Sequence, residues 1–390
     1  ASVIYGDSVT GDTPILMRYA GGAPLLCNID AIDGIDWKQH ASPWRDVTTG
    51  QSKEQVALNE QQQIEVWSDA GWTRLTRVIR HAVGNAIYRV NTHTGSVCVT
   101  ADHSLLKPDG SVCTPKDLTL STPLLHHAYP PSLENDTTVA SADEAFAMGF
   151  FFADGSCGSY EAANGDMKNT WAINKQDLIL LNLARDKLNS LRIAERCGCT
   201  FKIIDTLASS GVYKLVANGT PLALVNKYRP LFYDPATRTK IVPPAIIHAA
   251  RPIREAFWAG YYAGDGDHVG PGQRCDIKGQ IGAAGMFWLL KTLGYNVSIH
   301  IREDKPDIYR LTLSHGKMRR PTTTVKKIHI MAKTADTPMT PTMVYDLETA
   351  NHHFSAGVGE LVVHNTDSVM VLFGLKIENV KDPVCVSTVI

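Results

Sequence analysis

Short runs of alternating apolar and polar residues dominate the first third of the chain: Ile64-Glu65-Val66-Trp67, Thr76-Arg77-Val78-Ile79-Arg80, Ile87-Tyr88-Arg89-Val90 and Ser96-Val97-Cys98-Val99-Thr100. A period of two puts every second side chain on one face, so each run predicts a half-buried strand. Turn residues separate them at Asp69-Ala70-Gly71, Gly84-Asn85 and Thr94-Gly95. The polar stretch near Gln51–Gln63 predicts helix or loop. Strand-like sequence returns late, in Thr342-Met343-Val344-Tyr345-Asp346-Leu347 and Glu360-Leu361-Val362-Val363. Between 140 and 320 the period changes. Leucines over Asp177–Leu191 recur at helical spacing, and mixed helices and strands are expected. His126-His127-Ala128-Tyr129-Pro130-Pro131-Ser132 reads as the linker into this middle region, and Arg319-Arg320-Pro321-Thr322 as the way out. An all-β unit interrupted by an α+β unit is the organisation implied.

The middle region contains a repeat. Glu144-Ala145-Phe146-Ala147-Met148-Gly149-Phe150-Phe151-Phe152-Ala153-Asp154-Gly155 matches Glu255-Ala256-Phe257-Trp258-Ala259-Gly260-Tyr261-Tyr262-Ala263-Gly264-Asp265-Gly266 at a constant offset. Each copy is apolar almost all round and predicts a buried helix ending at its aspartate. Gly149 and Ala153, like Gly260 and Gly264, lie four apart on one face, where small residues let two helices approach closely. Packed together, the copies would bring Asp154 and Asp265 side by side. Two such carboxylates repel unless divalent cations sit between them.

Composition adds less. The net charge is −1, but residues 130–330 carry 25 Lys and Arg against 19 Asp and Glu, so the middle region is the part suited to phosphates. The 390 residues suit two or three domains. Eight scattered cysteines with a single close pair, Cys197 and Cys199, point to reduced structural thiols. No apolar run reaches the length of a membrane helix, and Ala1-Ser2-Val3-Ile4-Tyr5 has no secretion-signal pattern, so an intracellular protein without a membrane partner is expected.

The two repeated stretches resemble the paired motifs of single-chain LAGLIDADG homing endonucleases, over roughly 140–320. That resemblance implies two βαββαβ-like halves forming a saddle on double-stranded DNA, with Asp154 and Asp265 binding Mg²⁺ and cutting both strands of a long site. Lys240, before Ile241-Val242-Pro243, matches the family's catalytic lysine, with Lys317 a weaker second candidate. Arg251, Arg254, Lys317, Arg319 and Arg320 are candidate DNA contacts. A two-helix core without activity is the plain alternative.

The chain ends complete the reading. Val3-Ile4-Tyr5-Gly6-Asp7, joined to Thr366-Asp367-Ser368-Val369-Met370, resembles the catalytic motif of family B DNA polymerases, whose paired aspartates bind metal. Asp7 and Asp367 would be that pair, brought together only when 8–365 is removed. Ser8 at one junction can attack its preceding carbonyl and turn an amide into an ester, provided the site stabilises the oxyanion and protonates the leaving nitrogen. Val9-Thr10-Gly11-Asp12-Thr13 and Thr100-Ala101-Asp102-His103 resemble intein blocks, which implies that His103 protonates the nitrogen while Thr100 helps hold the carbonyl. Thr366 would take the acyl group, and Asn365 would cyclise onto its own carbonyl with help from His364. Val344-Tyr345-Asp346-Leu347 through Asn351-His352-His353-Phe354 resembles the block upstream of that junction. Asp346 would then coordinate acyl transfer and His352 promote cyclisation, although His353 is open as the alternative.

The fold implied is an all-β Hedgehog/intein (HINT) splicing domain over 8–130 and 322–365, interrupted at 131–321 by the endonuclease, with polymerase flanks at 1–7 and 366–390. Splicing would need no cofactor, and the precursor would act as a monomer whose partners are DNA and its own flanks. Three alternatives compete. A splicing element could carry an inactive nuclease. A Hedgehog-like self-cleaving domain would need neither Asn365 nor Thr366. A polymerase with an inert insertion would have too little polymerase to bind template.

Overall fold

A computed structural model describes residues 8–45, 52–59, 61–83, 86–191, 198–267, 272–316, 322–331 and 343–365. Asp7, Thr366, Asp367, Lys317, Arg319 and Arg320 lie outside the described residues.

The alternating runs form strands. Ile64–Ser68 and Gly71–Ala82 make a hairpin through Asp69 and Ala70, with Ser68 paired to Gly71. Gly71 supplies the positive φ of 85° that the tight turn requires. Ile87–Asn91 pairs with Gly95–Thr100 in the next hairpin. The polar stretch expected as helix or loop instead contributes a strand, Ser52–Ala57, laddered to Gly71–Ala82. Its Lys53 and Val56 are buried. The long strand offers a row of backbone donors and acceptors there, and pairing that edge outweighs the polar composition of the segment.

Distant segments complete the sheet. Val9–Thr10 lies between Gly95–Thr100 and Met343–Thr349, and the latter also pairs with Gly71–Ala82. Lys327–Met331 pairs with Ile87–Asn91. Among the described residues these strands belong to one twelve-stranded sheet. A smaller sheet holds Val112–Cys113, Leu105–Leu106, Val362–His364 and His353–Ser355. One hydrophobic core, including Val9, Val99, Leu105, Leu347, Phe354 and Val363, draws on residues before and after the middle region.

The middle region has a second core, which also takes in Leu16 and Val358 of the surrounding sheet, and two halves. The first runs Ala142–Asp154, Gly155–Glu161, Met167–Lys175, Leu178–Ser190, Cys199–Thr206 and Val212–Gly219. The second runs Arg251–Asp265, Gly266–Asp267, Gln273–Lys278, Gln280–Thr292, Asn296–Ile301 and Ile308–Ser314. Each half thus follows αββαββ, the first adding a short helix, Leu207–Ser210, between its last two strands and the helix Leu222–Phe232 after them, and not the strand-first βαββαβ expected from sequence. Both motif helices start without a leading strand because local signals start them. The Ser141 hydroxyl accepts from the Glu144 N–H at 3.2 Å, and Pro252 occupies the first turn of the second helix.

The two motif helices pack face to face as the small residues predict. A methyl group at Gly149 would collide with the Phe257 carbonyl, and one at Gly260 with the Phe146 carbonyl. Gly155 and Gly266 end the helices in extended conformation, with φ of −86° and −68°. Glycine serves there for room and not for a left-handed cap, since a side chain at 155 would strike Phe151 and one at 266 would strike Tyr262. No helix among the described residues is long and apolar enough to cross a membrane.

Candidate active sites

The first site gathers around Ser8, a residue 1% exposed at the start of the central Val9–Thr10 strand. Its N–H points to Thr100 Oγ1 at 3.3 Å, and its carbonyl accepts from the Thr100 N–H at 2.9 Å. Thr100 closes a turn in which the His103 N–H donates to its carbonyl at 3.2 Å, and His103 is fully buried. At the other end of that turn, the Ser104 carbonyl accepts from the His364 N–H at 3.4 Å. Ser8 and His364 are thus bonded to the two ends of one short segment, Thr100–Ser104. Even fully extended, four residues span no more than about 14 Å, and a turn spans less.

Asn365 is fully buried, and its Nδ2 donates to Thr349 Oγ1 at 3.1 Å. Its backbone N–H donates to the His352 carbonyl at 2.9 Å. His352 has φ of 62°, a left-handed conformation that favours glycine or asparagine. The His352 and His364 rings stack at 6.5 Å between centroids. The His353 ring also lies beside His364, 5.6 Å between centroids, while its Nδ1 meets Asp69 Oδ1 at 2.9 Å. Asp346 is buried on the strand beside Val9–Thr10, one step beyond the Val9–Tyr345 pair, with Oδ1 accepting from the Leu347 N–H at 2.7 Å. The structure also places a residue that no sequence motif signalled. His81, near the end of Gly71–Ala82, sets Nε2 2.9 Å from Ser8 Oγ. Thr349 lies within the late intein-like block but carries no role in it by sequence.

The second site lies where the motif helices end. Asp154 Oδ2 is 2.8 Å from Lys175 Nζ, which also donates to the Gly264 carbonyl at 2.5 Å. Lys240 Nζ donates to the carbonyls of Phe151 and Phe152, at 2.9 Å each, and to that of Ala153 at 3.4 Å. Each lysine therefore grips the carbonyl end of one motif helix, where the helix dipole is negative. Burial, then the neighbouring Asp154 carboxylate, push Asp265 above the ordinary aspartate range, against the pull of Lys175 and Lys240. Burial pulls Lys240 down to about 8, opposed by Asp265 and Asp154. A cleft of about 540 Å³ opens beside Lys240 and Asp265.

Lys175 is the lysine that sequence reading missed. The ladders equate it with Ile277 in the second half, because Gly155 pairs with Ile173 where Gly266 pairs with Cys275. A buried isoleucine thus stands where the first half has an amine. Arg251 and Arg254, expected on a phosphate track, lie in the first turn of the second helix, roughly 21 and 16 Å from Asp265 at about 1.5 Å per residue. The structure corrects Arg254 outright: it is 2% exposed, and its guanidinium is committed to Glu134 and to the carbonyls of Ala249 and Thr292. Arg251 is bonded to Glu255 and the Leu293 carbonyl. Polar and basic residues instead line the outward sheet faces. Lys168, Lys202 and Lys214 lie opposite the inward Trp171 and Phe201, and Arg274 and Arg310 opposite Cys275 and Leu311.

No protein-family model matches the chain. A DNA polymerase of Acanthamoeba polyphaga mimivirus is 44% identical to it over 388 residues, which is 97% of this chain and 21% of that polymerase. The chain therefore spans about a fifth of the length of this relative. Among solved structures, one of the homing endonuclease I-DmoI covers 44% of this chain and 88% of its own, at 16% identity and a TM-score of 0.35. The transcription factor IIB Mvu mini-intein covers 92% and 99%, at 13% identity and a TM-score of 0.33.

Proposed function

We propose that the chain is a self-splicing element carrying a DNA endonuclease, set inside a DNA polymerase precursor. In this reading residues 8–130 and 322–365 splice, 131–321 cut DNA, and 1–7 and 366–390 are polymerase flanks. One observation carries it: Ser8 and the His364–Asn365 end are both bonded to the Thr100–Ser104 turn. A reaction that joins residue 7 to residue 366 needs the two ends of the intervening segment adjacent, because holding two reactants together replaces a bimolecular encounter.

Ser8 attacks the carbonyl before it, and the acyl group shifts from nitrogen to oxygen. Thr100 holds the peptide and His103 protonates the departing nitrogen. Thr366 takes the acyl group from Ser8, with Asp346 coordinating the transfer. Asn365 then attacks its own carbonyl and cuts the chain, assisted by His364. His352 is the better candidate than His353 for promoting cyclisation, since its carbonyl holds the Asn365 N–H while His353 is engaged with Asp69. The new ester relaxes to an amide. Restored this way, Asp7 and Asp367 form the carboxylate pair of the polymerase.

For the endonuclease, the fit to a divalent cation rests on the donor chemistry. Asp154 and Asp265, which end the two packed motif helices, would offer hard oxygen ligands, and an ammonium, Lys175, already meets Asp154 Oδ2 and the neighbouring Gly264 carbonyl. Mg²⁺ held by these two aspartates would supply charge neutralisation and an activated water for phosphodiester hydrolysis. Lys240 and Lys175 orient the carboxylates through the helix ends they grip. The outward sheet faces bearing Lys168, Lys202, Lys214, Arg274 and Arg310 would track the phosphates of double-stranded DNA, in place of Arg254.

The test is mass measurement on the expressed chain. Two products are expected, residues 8–365 and a peptide joining 1–7 to 366–390; Ser8→Ala with Asn365→Ala should yield neither. Intact wild-type precursor after prolonged incubation would remove the splicing reading. Separately, Asp154→Asn should abolish Mg²⁺-dependent cutting of DNA spanning the uninterrupted polymerase codons and leave splicing intact.

A further inference from the structure

A serine hydroxyl is a weak nucleophile, and reactive serines are activated by an adjacent base. The splicing residues named so far hold the peptide and protonate its nitrogen, but none removes the proton from Ser8. We infer that His81 is that base, a catalytic residue of the first step; the inference rests on the splicing reading and deepens it.

The tautomer is set by the partners. His81 Nδ1 lies 2.9 Å from the Ala82 carbonyl oxygen, which can only accept, so Nδ1 carries the hydrogen. In the neutral ring Nε2 is then a bare lone pair, and it faces Ser8 Oγ at 2.9 Å, within the reach required of a general base. The ring cannot drift. His81 is 5% exposed, and its strand is laddered on both sides, with Lys53 opposite it on one neighbour and Val344 on the other. The Ser8 backbone is fixed independently by its two contacts to Thr100.

In the step itself, the proton on Ser8 Oγ passes to Nε2 while Oγ bonds to the carbonyl carbon of residue 7. The bond from that carbon to the residue 8 nitrogen breaks, and the nitrogen receives a proton from His103. An ester and a free amine result, with His81 protonated and His103 neutral.

The experiment uses the full chain with Asn365→Ala and Thr366→Ala, which confines chemistry to this step. Ester is read as hydroxylamine-dependent cleavage between residues 7 and 8, identified by mass. His81→Gln keeps a hydrogen-bonding side chain but no base, and together with His81→Ala it should slow cleavage by about 100-fold or more. Adding Ser8→Cys to either variant should recover most of that loss, because a thiol reaches its anionic form near neutral pH unaided. Cleavage at the unsubstituted rate in His81→Gln would overturn the assignment. So would a cysteine chain that loses as much from the His81 substitution as the serine chain, since that pattern marks a packing defect. If His81→Ala fails to fold by circular dichroism, the two His81→Gln chains decide alone. A wild-type chain that forms ester yet never splices would sink the splicing reading and leave this inference standing.

Discussion

Lys240 is a half-buried amine whose three carbonyl contacts all belong to the first motif helix, and its charge is costly where it sits. The folded value near 8 lies below that of an exposed lysine, so between about 8 and 10.5 the unfolded chain binds more protons than the folded one. Stability contributed by this group therefore rises with pH across that window, and the penalty is fully present below it. Lys240→Met should abolish the rise: the difference in melting midpoint between wild type and variant should change by a few degrees from pH 7.5 to 9.5, in favour of the wild type. DNA cutting should fall by about 100-fold or more, on the scale of a lost acid–base group. A midpoint difference flat across that range would show the amine to be solvated. Asp265 carries the opposite charge under the same strain. Its raised value means that the carboxylate form costs stability above the ordinary aspartate range and that the cost is relieved as pH falls. Asp265 is also exposed to solvent, which screens that cost, so Asp265→Asn should raise the melting midpoint at neutral pH by only about 1 °C, while removing nuclease activity. An unchanged or lower midpoint would mean that Lys175 and Lys240 fully compensate the charge.

At the scale of elements, the motif helices depend on two glycines that admit the opposing backbone. Gly149→Ala or Gly260→Ala should force the helices apart and destabilise the middle region by about 3 kcal/mol, at the upper end for overpacking, because the collision is with backbone carbonyls that cannot rotate away. Nuclease activity should be lost with the alignment of Asp154 and Asp265, and wild-type melting with intact cutting would contradict the packing. This helix pair was legible because a repeat declares itself twice, and spacing four apart is visible without coordinates. The strand runs were legible for the same reason, through alternation. The hidden features have a common physical origin. Ser52–Ala57 is a strand because a neighbour needs backbone partners, His81 reaches Ser8 because two distant strands share a sheet, and Lys175 reaches Asp154 because its strand returns beneath the helix. Such pairings depend on tertiary register, which a local pattern does not encode. Arg254 misled in the reverse sense: an arginine in a basic region reads as a phosphate contact, yet here it fills the carbonyl-lined base of a helix.

Across the whole molecule, the middle region is attached by more than its two linkers. Leu16 and Val358, from the surrounding sheet, are buried in the core of the middle region. The His93 carbonyl accepts from the Ile299 N–H at 2.8 Å, the Pro24 carbonyl meets His248 Nε2 at 2.7 Å, and Lys291 pairs with Glu360 at 3.1 Å. Arg89, whose Nε contacts Cys98 at 3.4 Å on the strand that ends at Thr100, donates to the Pro306 carbonyl at 2.8 Å. The two units therefore share an interface reaching within two residues of the Ser8 partner. Replacing 131–321 by a short Gly/Ser linker should still give a splicing chain, because its own core is built from residues outside that span and loop closure changes only slowly with length. Exposure of Leu16 and Val358 alone should cost about 3–6 kcal/mol at roughly 1.5–3 kcal/mol per large aliphatic side chain. The shortened chain should then melt well below the parent and splice more slowly at elevated temperature, with Leu16→Ser and Val358→Thr improving its solubility without altering product masses. A shortened chain that folds by circular dichroism yet forms no excised product would mean that the interface through Arg89 and Pro306 holds the Ser8 site in order, and that splicing cannot proceed without the inserted unit.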